Sequence, residues 1–220
     1  MTRVLKSTVA AALVFALATA HVEGAVVEAG KTIAAAGNAS GAPACASCHG
    51  ADGLGNAAAG FPRLAGMNAQ YLVRQLNDYE NGTRNNPVMS AMVKSLTQAE
   101  RAQVANYYAT LPVPAKPMQA GGDAARLASG QRIARDGDWS KGVPACYRCH
   151  GPDGSGVPPH FPAIIDQPAS YIVAQFTAWK DGARSNDPIG LMKSVALKLD
   201  NDEIANVAAW LAANAYPPKR

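Results

Sequence analysis

Two copies of one pentapeptide carry the residues best suited to chemistry in this chain. They are Cys45-Ala46-Ser47-Cys48-His49 and Cys146-Tyr147-Arg148-Cys149-His150. Two thiols three residues apart lie on one turn of backbone, close enough to bond both vinyl groups of one haem. The histidine that follows can bind the iron, so Cys-x-x-Cys-His is the pattern of c-type haem attachment. The two copies use all four cysteines, and the sequence therefore predicts two covalently bound haems c.

Other uses of a Cys-x-x-Cys pair explain less of the pattern. A redox dithiol expects a strand followed by a helix and gives the adjacent histidine no task. One zinc ion shared by both pairs would have to join segments roughly one hundred residues apart, again with idle histidines. Two disulfides would each close a very small loop, which stabilises little because the entropic effect grows with loop length.

The sixth ligand of each iron is predicted to be a methionine. The first copy offers Met89 and Met92, and the second offers Met192. Met89 lies seven residues before Leu96, and Met192 lies seven residues before the matching Leu199, whereas Met92 falls opposite a valine. This register favours Met89 and Met192 as ligands, with Met92 as the alternative in the first copy. Histidine and thioether together stabilise Fe(II) and leave no open position for a substrate.

Each haem histidine should donate its other ring N–H to a backbone carbonyl, which fixes the tautomer and the orientation of the ring. A Phe-Pro pair follows both motifs, at Phe61-Pro62 and at Phe161-Pro162. The repetition suggests Pro62 and Pro162 as the acceptors of these hydrogen bonds.

The motifs belong to a domain that has been duplicated. Matching residues recur at an offset of 100 to 103 positions, for example Asn81-Gly82-Thr83-Arg84 with Asp181-Gly182-Ala183-Arg184. Each copy predicts an alanine-rich helix, the haem motif, a glycine-rich loop, an amphipathic helix, a methionine loop and a closing helix. The predicted helices span residues 25–36, 69–80 and 97–109, and then 124–135, 169–180 and 200–213. No convincing strand period occurs, so the predicted fold class is all-α.

The starts of three helices carry recognisable signals. Thr97 with Glu100, and Asp200 with Glu203, have the spacing of a capping box, in which an oxygen at the N-cap pairs with a carboxylate three residues on. Asn68 is a suitable N-cap for the first amphipathic helix.

The chain divides into four parts. Residues 1–20 have a positive start, an apolar stretch and a small-residue cleavage site, which predicts a signal peptide cut after Ala20. The first domain covers residues 21–110, a linker rich in proline and glycine covers 111–122, and the second domain covers 123–220.

Cleavage removes Arg3 and Lys6 and lowers the formal net charge from +4 to +2, so nucleic-acid binding gets no support. Export to the periplasm suits haem attachment. Three cations near the motifs (Arg63, Lys141 and Arg148) are candidates for steering acidic partners, and scattered surface charge is the commoner explanation for such residues.

Taken together, these features resemble the dihaem cytochrome c4 family. The resemblance covers both Cys-x-x-Cys-His motifs, the Phe-Pro-x-Leu/Ile loops, the Tyr-x-x-x-Gln helices, Arg184-Ser-Asn-Asp187 and both methionine loops. It implies two tandem class I cytochrome c domains, each wrapped around one covalent haem and related by a pseudo-twofold axis. It also implies a periplasmic electron carrier that is a monomer, with possible peripheral association with the membrane.

Three classes of function follow from the resemblance. The leading one is a carrier, not an enzyme, that takes single electrons from a cytochrome bc1-type complex or a dehydrogenase and passes them to a terminal oxidase or reductase. The second is the electron-transfer subunit of a dehydrogenase, as in flavocytochrome c sulfide dehydrogenase. The third is an enzyme such as a dihaem peroxidase or thiosulfate dehydrogenase, which the methionines in both repeats make the least favoured.

Overall fold

The computed structural model describes residues 23–115 and 123–214, so the predicted signal peptide lies outside the described residues. The described part of the chain is helical, with four isolated β-bridges and no named strand. In the first domain α1 covers residues 23–36, followed by α2 (Ala46–His49), α3 (Ala69–Glu80), α4 (Pro87–Val93) and α5 (Gln98–Thr110). The second domain repeats the order with α6 (Ala124–Asp136), α7 (Tyr147–His150), α8 (Ala169–Lys180), α9 (Leu191–Lys198) and α10 (Asn201–Ala213). The all-α prediction is confirmed.

The first and last helices of each domain pack against each other at a glycine. A Cβ atom built on Gly30 of α1 would lie 3.0 Å from the Cβ of Tyr107 on α5, and one built on Gly130 of α6 would lie 2.9 Å from the Cβ of Trp210 on α10. Only a residue without a side chain lets the helices approach this closely. The pairing holds the two ends of each domain together around the haem motif.

The capping signals read from the sequence are present. The Thr97 side chain accepts a hydrogen bond from the Glu100 N–H, and the Glu100 carboxylate accepts one from the Thr97 N–H. Asp200 and Glu203 make the same pair of bonds at the start of α10. Asn68 accepts from the N–H of Tyr71 at 3.0 Å. These bonds place the starts of α3, α5 and α10 within a residue of the prediction.

The methionine segments differ from the prediction, because they are short helices rather than loops. Pro87 is the first residue of α4, where its fixed φ and missing N–H suit a helix start. In the second domain Gly190 adopts a left-handed conformation with φ of 67° and α9 begins directly after it. Met89 and Met192 therefore lie in the first turns of helices, which hold them more firmly than loops would.

The two domains meet through equivalent residues. The backbone around Arg84 pairs with the backbone around Arg184, with the Asn85 N–H donating to the Ala183 carbonyl and the Ser185 N–H to the Thr83 carbonyl. Contact between matching positions of the two repeats is what an approximate twofold relation produces.

Arg63 makes a second connection between the domains. Its side chain is 1 % exposed and donates to the carbonyl oxygens of Ala65 in its own domain and Ile165 in the other. The Arg63 N–H also donates to the Gln167 side chain. The expectation that Arg63 is a surface cation near the haem motif is therefore wrong. Its guanidinium group therefore joins the two domains by hydrogen bonds at their interface.

Within the described residues, no helix is both long and apolar enough to cross a membrane.

Candidate haem sites

Each domain encloses a cavity lined by its predicted haem residues. The cavity of the first domain has a volume of about 310 Å³, and the cavity of the second about 480 Å³. The first is lined by Cys45, Cys48, His49, Met89 and Met92 among others, and the second by Cys146, Cys149, His150 and Met192. The fold thus brings together, in each domain, the residues that the sequence marked as far as 47 positions apart.

The two histidines are anchored as the sequence suggested. The Nδ1 atom of His49 lies 2.9 Å from the carbonyl oxygen of Pro62, and the Nδ1 atom of His150 lies 2.7 Å from that of Pro162. A carbonyl oxygen can only accept, so Nδ1 carries the proton and Nε2 keeps its lone pair. Burial lowers the pKa of both histidines, which keeps each ring neutral and ready to bind a metal through Nε2.

The cysteines lie on a single turn of helix in each domain. Cys45 and Cys146 are the N-cap residues of α2 and α7, and Cys48 and Cys149 lie within these helices. Burial raises the pKa of the Cys45 thiol and raises that of Cys146 to about 11. The free thiols at these two positions are therefore protonated at neutral pH, before any haem is attached.

The methionine helices are fixed by a polar side chain in each domain. The Asn86 side chain accepts hydrogen bonds from the N–H groups of Val88 and Met89, both at 3.0 Å. Asp187 does the same for Met192 and the residue after it. Because Met89 and Met192 share this anchor, the geometry favours Met89 as the counterpart of Met192, although Met92 also lines the first cavity.

A buried polar cluster lies where the two cavities meet, and the sequence analysis did not find it. Its centre is the Gln75 side-chain oxygen, which accepts from Arg84 Nη1 at 2.9 Å, Arg184 Nη2 at 3.0 Å and Asn186 Nδ2 at 2.9 Å. Gln175 accepts from both arginines as well. The repeated arginine and the repeated glutamine were visible in the alignment of the two copies, but only the fold shows that they meet.

The two cavities share part of their walls. Six residues line both of them, and these are Met67, Tyr71, Gln75, Gln167, Tyr171 and Gln175. Each domain therefore contributes side chains to the cofactor site of the other. This arrangement places the two predicted cofactors close to the same interface.

The unpaired polar atoms around the cavities match the chemistry of a haem. Trp179 Nε1 and the Tyr108 hydroxyl are buried and line the cavities, and neither has a hydrogen-bond partner among the described residues. Arg84 and Arg184 are about 95 % buried, and their hydrogen bonds to described residues end on neutral side chains. Buried cations of this kind favour an anionic partner. A haem offers an apolar ring and two carboxylates, so the residues present fit it.

His160 lies exposed in the loop that follows the second haem motif. Arg74 of the first domain donates to its carbonyl oxygen at 3.0 Å and lies 3.2 Å from its Nδ1 atom. His160 is thus part of the contact between the domains rather than a free surface residue.

Comparison with known proteins agrees with this geometry. The model of the family described as Cytochrome c matches two tandem regions of the chain, residues 27–112 and 127–215. A relative from Thiomonas intermedia, named thiosulfate dehydrogenase electron acceptor, is 51 % identical and covers 81 % of this chain and 82 % of its own. Cytochrome c4 from Pseudomonas aeruginosa is 36 % identical, over 81 % of this chain and 87 % of that protein.

A solved structure gives the same result for the fold. It is titled thiosulfate dehydrogenase (TsdBA) from Marichromatium purpuratum, and it matches with a TM-score of 0.79 at 43 % identity. The match covers 86 % of this chain but only 40 % of that chain. The two tandem family matches and the similarity to cytochrome c4 place this protein among dihaem c-type electron carriers, with one covalent haem c for each domain. The chain therefore belongs to the cytochrome c family, as a member of its dihaem cytochrome c4 group.

Proposed function

We propose that this protein is a periplasmic carrier that accepts single electrons from a thiosulfate dehydrogenase and passes them to a further redox protein of the respiratory chain. The observation that carries the proposal is the higher sequence identity of this protein to a thiosulfate dehydrogenase electron acceptor than to a cytochrome c4. Identity is 51 % to a thiosulfate dehydrogenase electron acceptor and 36 % to a cytochrome c4.

The solved TsdBA chain supports the same donor. This protein matches 40 % of that chain, so the remainder of the TsdBA polypeptide lies outside the part that resembles this protein. A single polypeptide that contains a dehydrogenase and a part like this one keeps donor and acceptor together.

The residues proposed to hold the haems are those that line the two cavities. Cys45, Cys48, Cys146 and Cys149 would bind them covalently, and His49 with Met89 and His150 with Met192 would be the axial ligands. A haem with these two ligands supplies one-electron cycling between Fe(II) and Fe(III). The protein's own part is to hold the ligands on short helices, to orient the histidines through Pro62 and Pro162, and to exclude water.

The general cytochrome c4 function is the second candidate, favoured by the 36 % identity over 81 % of the chain. In that case the donor is a cytochrome bc1-type complex or another dehydrogenase, such as a flavocytochrome c sulfide dehydrogenase, and the acceptor is a terminal oxidase or reductase. Methionine ligands on both haems, as proposed, would leave no open position for a substrate and would argue against a catalytic role for the protein itself.

The test mixes oxidised, haem-loaded protein with purified thiosulfate dehydrogenase and thiosulfate under anaerobic conditions. We expect both haems to be reduced, and the α-band of the reduced form measures this reduction. Thiosulfate alone is the control and should reduce nothing. Rapid reduction by a sulfide dehydrogenase or a bc1-type complex, with none by the thiosulfate enzyme, would replace the proposed donor by the second candidate.

A further inference from the structure

One side chain of the second domain binds the peptide group that holds the haem histidine of the first domain. The peptide group between Pro62 and Arg63 has its carbonyl oxygen 2.9 Å from His49 Nδ1. The N–H of the same peptide group belongs to Arg63 and donates to the Gln167 side-chain oxygen at 3.0 Å. His49, this peptide group and the Gln167 amide therefore form a continuous chain of hydrogen bonds that crosses from one domain to the other.

Gln167 is firmly held in this position. It is 5 % exposed, and its Nε2 atom donates to the Arg63 carbonyl oxygen at 3.0 Å. An amide that meets both the N–H and the C=O of one residue has a single orientation that satisfies both, because its oxygen must face the donor and its nitrogen the acceptor. The preceding residue, Asp166, donates its backbone N–H to the Leu211 carbonyl at 2.9 Å. The segment that carries Gln167 is thus fixed to the last helix of its own domain.

The second domain has the same histidine contact without this connection. His150 Nδ1 lies 2.7 Å from the Pro162 carbonyl oxygen, and the N–H of that peptide group belongs to Ala163. The counterpart of Gln167 in the first domain is Met67, and the Ala163 N–H forms no hydrogen bond with another described residue. Among the described residues, therefore, the chain of hydrogen bonds from a haem histidine to the opposite domain exists for the first haem site and not for the second.

A hydrogen bond at the N–H end of a peptide group strengthens the bond at its carbonyl end. When the N–H donates, electron density moves towards the carbonyl oxygen, and bonds in such chains strengthen one another by roughly 10–30 %. The Gln167 amide thus makes the Pro62 oxygen a better acceptor for the His49 Nδ1–H. A histidine held by a better acceptor is a more basic ligand. Because a more basic ligand favours Fe(III), this hydrogen bonding lowers the reduction potential of a haem that the histidine binds.

We propose that Gln167 is a positioning residue for the first haem, which acts through the Pro62–Arg63 peptide group to strengthen the His49 hydrogen bond and to lower the reduction potential of that haem. This inference rests on the ligand role given to His49 under Proposed function. His49 keeps its Nδ1 proton when the iron gains its electron, so no proton moves and no bond is made or broken. The second domain thereby sets a property of the cofactor in the first.

The test is a redox titration of the haem-loaded protein monitored by NMR, which follows the haem methyl signals of each domain separately. The variant Gln167→Met gives the second domain the residue of the first. It should shift the reduction equilibrium of the first haem about threefold towards Fe(II), which is about 30 mV because tenfold corresponds to about 59 mV for one electron. The potential of the second haem should not change. In the reduced variant the His49 ring N–H should exchange with solvent faster than in the wild type, and the His150 ring N–H should not.

Ser185→Ala is the matched control for a weakened contact between the domains. The Ser185 hydroxyl also donates across the interface, to the Thr83 carbonyl at 3.2 Å, but Ser185 lines neither cavity. Its loss should leave both potentials as they are in the wild type. One further measurement needs no substitution. In the wild type, the NMR scalar coupling between the Arg63 backbone nitrogen and the Gln167 side-chain carbonyl carbon reports the hydrogen bond itself and should be present.

Equal shifts of both potentials in Gln167→Met would overturn the proposal, because Gln167 lines both cavities and the loss of its polarity alone would act on both haems. An unchanged or lower potential of the first haem would overturn it as well, and so would the absence of the coupling in the wild type. The same shift in Ser185→Ala would mean that a weaker domain contact, not the chain of hydrogen bonds, moves the potential. All of these results leave the ligand role of His49 in place, whereas spectra of a first haem without bound His49 would overturn both.

Discussion

Substituting Gly130 by alanine tests whether the close packing of the first and last helices stabilises the second domain. A Cβ atom at this position would lie 2.9 Å from the Cβ of Trp210 and would also clash with the carbonyl group of Asn206. Carbon atoms pack best at about 3.5–4.0 Å, so α6 and α10 would have to separate by roughly 1 Å. Overpacking of this kind costs about 3 kcal/mol, and the better helix propensity of alanine returns about 1 kcal/mol. The expected net loss of unfolding free energy is about 2 kcal/mol.

The loss should be visible in thermal unfolding of the haem-loaded protein. A change of about 2 kcal/mol lowers the melting temperature of a domain of this size by roughly 10 °C. The melting temperature can be followed by circular dichroism and by the Soret band, which reports on the haem environment. Gly30→Ala in the first domain should behave alike, since its Cβ would lie 3.0 Å from the Cβ of Tyr107.

Gly24→Ala is the matched control, because nothing lies within 4 Å of a Cβ at that position. It should leave the melting temperature unchanged or raise it slightly. If Gly130→Ala proved as stable as Gly24→Ala, the close crossing of α6 and α10 would not be what closes the domain, and the reasoning from the Cβ distances would be refuted.

Three further predictions concern the ligands, the domain contact and acid stability. Met89→Ala should make one haem high-spin and open to carbon monoxide, whereas Met92→Ala should not, and an optical spectrum with carbon monoxide distinguishes them. Arg63→Met leaves buried carbonyl oxygens of both domains without a donor, so denaturant unfolding should show a loss of about 3 kcal/mol; Arg126→Met, at an exposed site, is the control. Hydrogen bonds from the Thr97 backbone N–H and the Asn38 side chain lower the pKa of Glu100. The negative charge of Glu100 therefore stabilises the fold above the unfolded pKa of about 4.3. This stabilisation is lost as the pH falls through the pKa of Glu100 in the folded protein. The melting temperatures of wild type and Glu100→Gln should therefore differ at pH 7 and converge in acid, and a gap that persists in acid would contradict this linkage.

Much of the fold was predictable because the signals are local and occur twice. Both haem motifs, the three longer helices of each copy and the capping boxes at Thr97 and Asp200 depend on residues a few positions apart. The repeat also provided the register that singled out Met89, since each candidate could be compared with the second copy.

The interface was not predictable, because its contacts join residues about one hundred positions apart. Arg63 looked like a surface cation, since a sequence does not reveal that carbonyl groups of another domain surround it. Arg84 and Arg184 occupied the same repeat position, but their shared acceptor Gln75 becomes evident only when the domains are placed together. The short helices α4 and α9 were missed for a local reason, because a proline and a short apolar run read as a loop although proline suits the first position of a helix.

The most direct test of the account is an optical spectrum of the purified, haem-loaded protein, oxidised and then reduced, with carbon monoxide added to the reduced form. The account predicts two haems per chain, the weak red absorption band of iron bound to methionine sulfur at full strength for both, and no change on adding carbon monoxide. A high-spin component, or carbon monoxide bound at either haem, would contradict a closed electron carrier and would mean that one of the assigned methionines does not bind the iron.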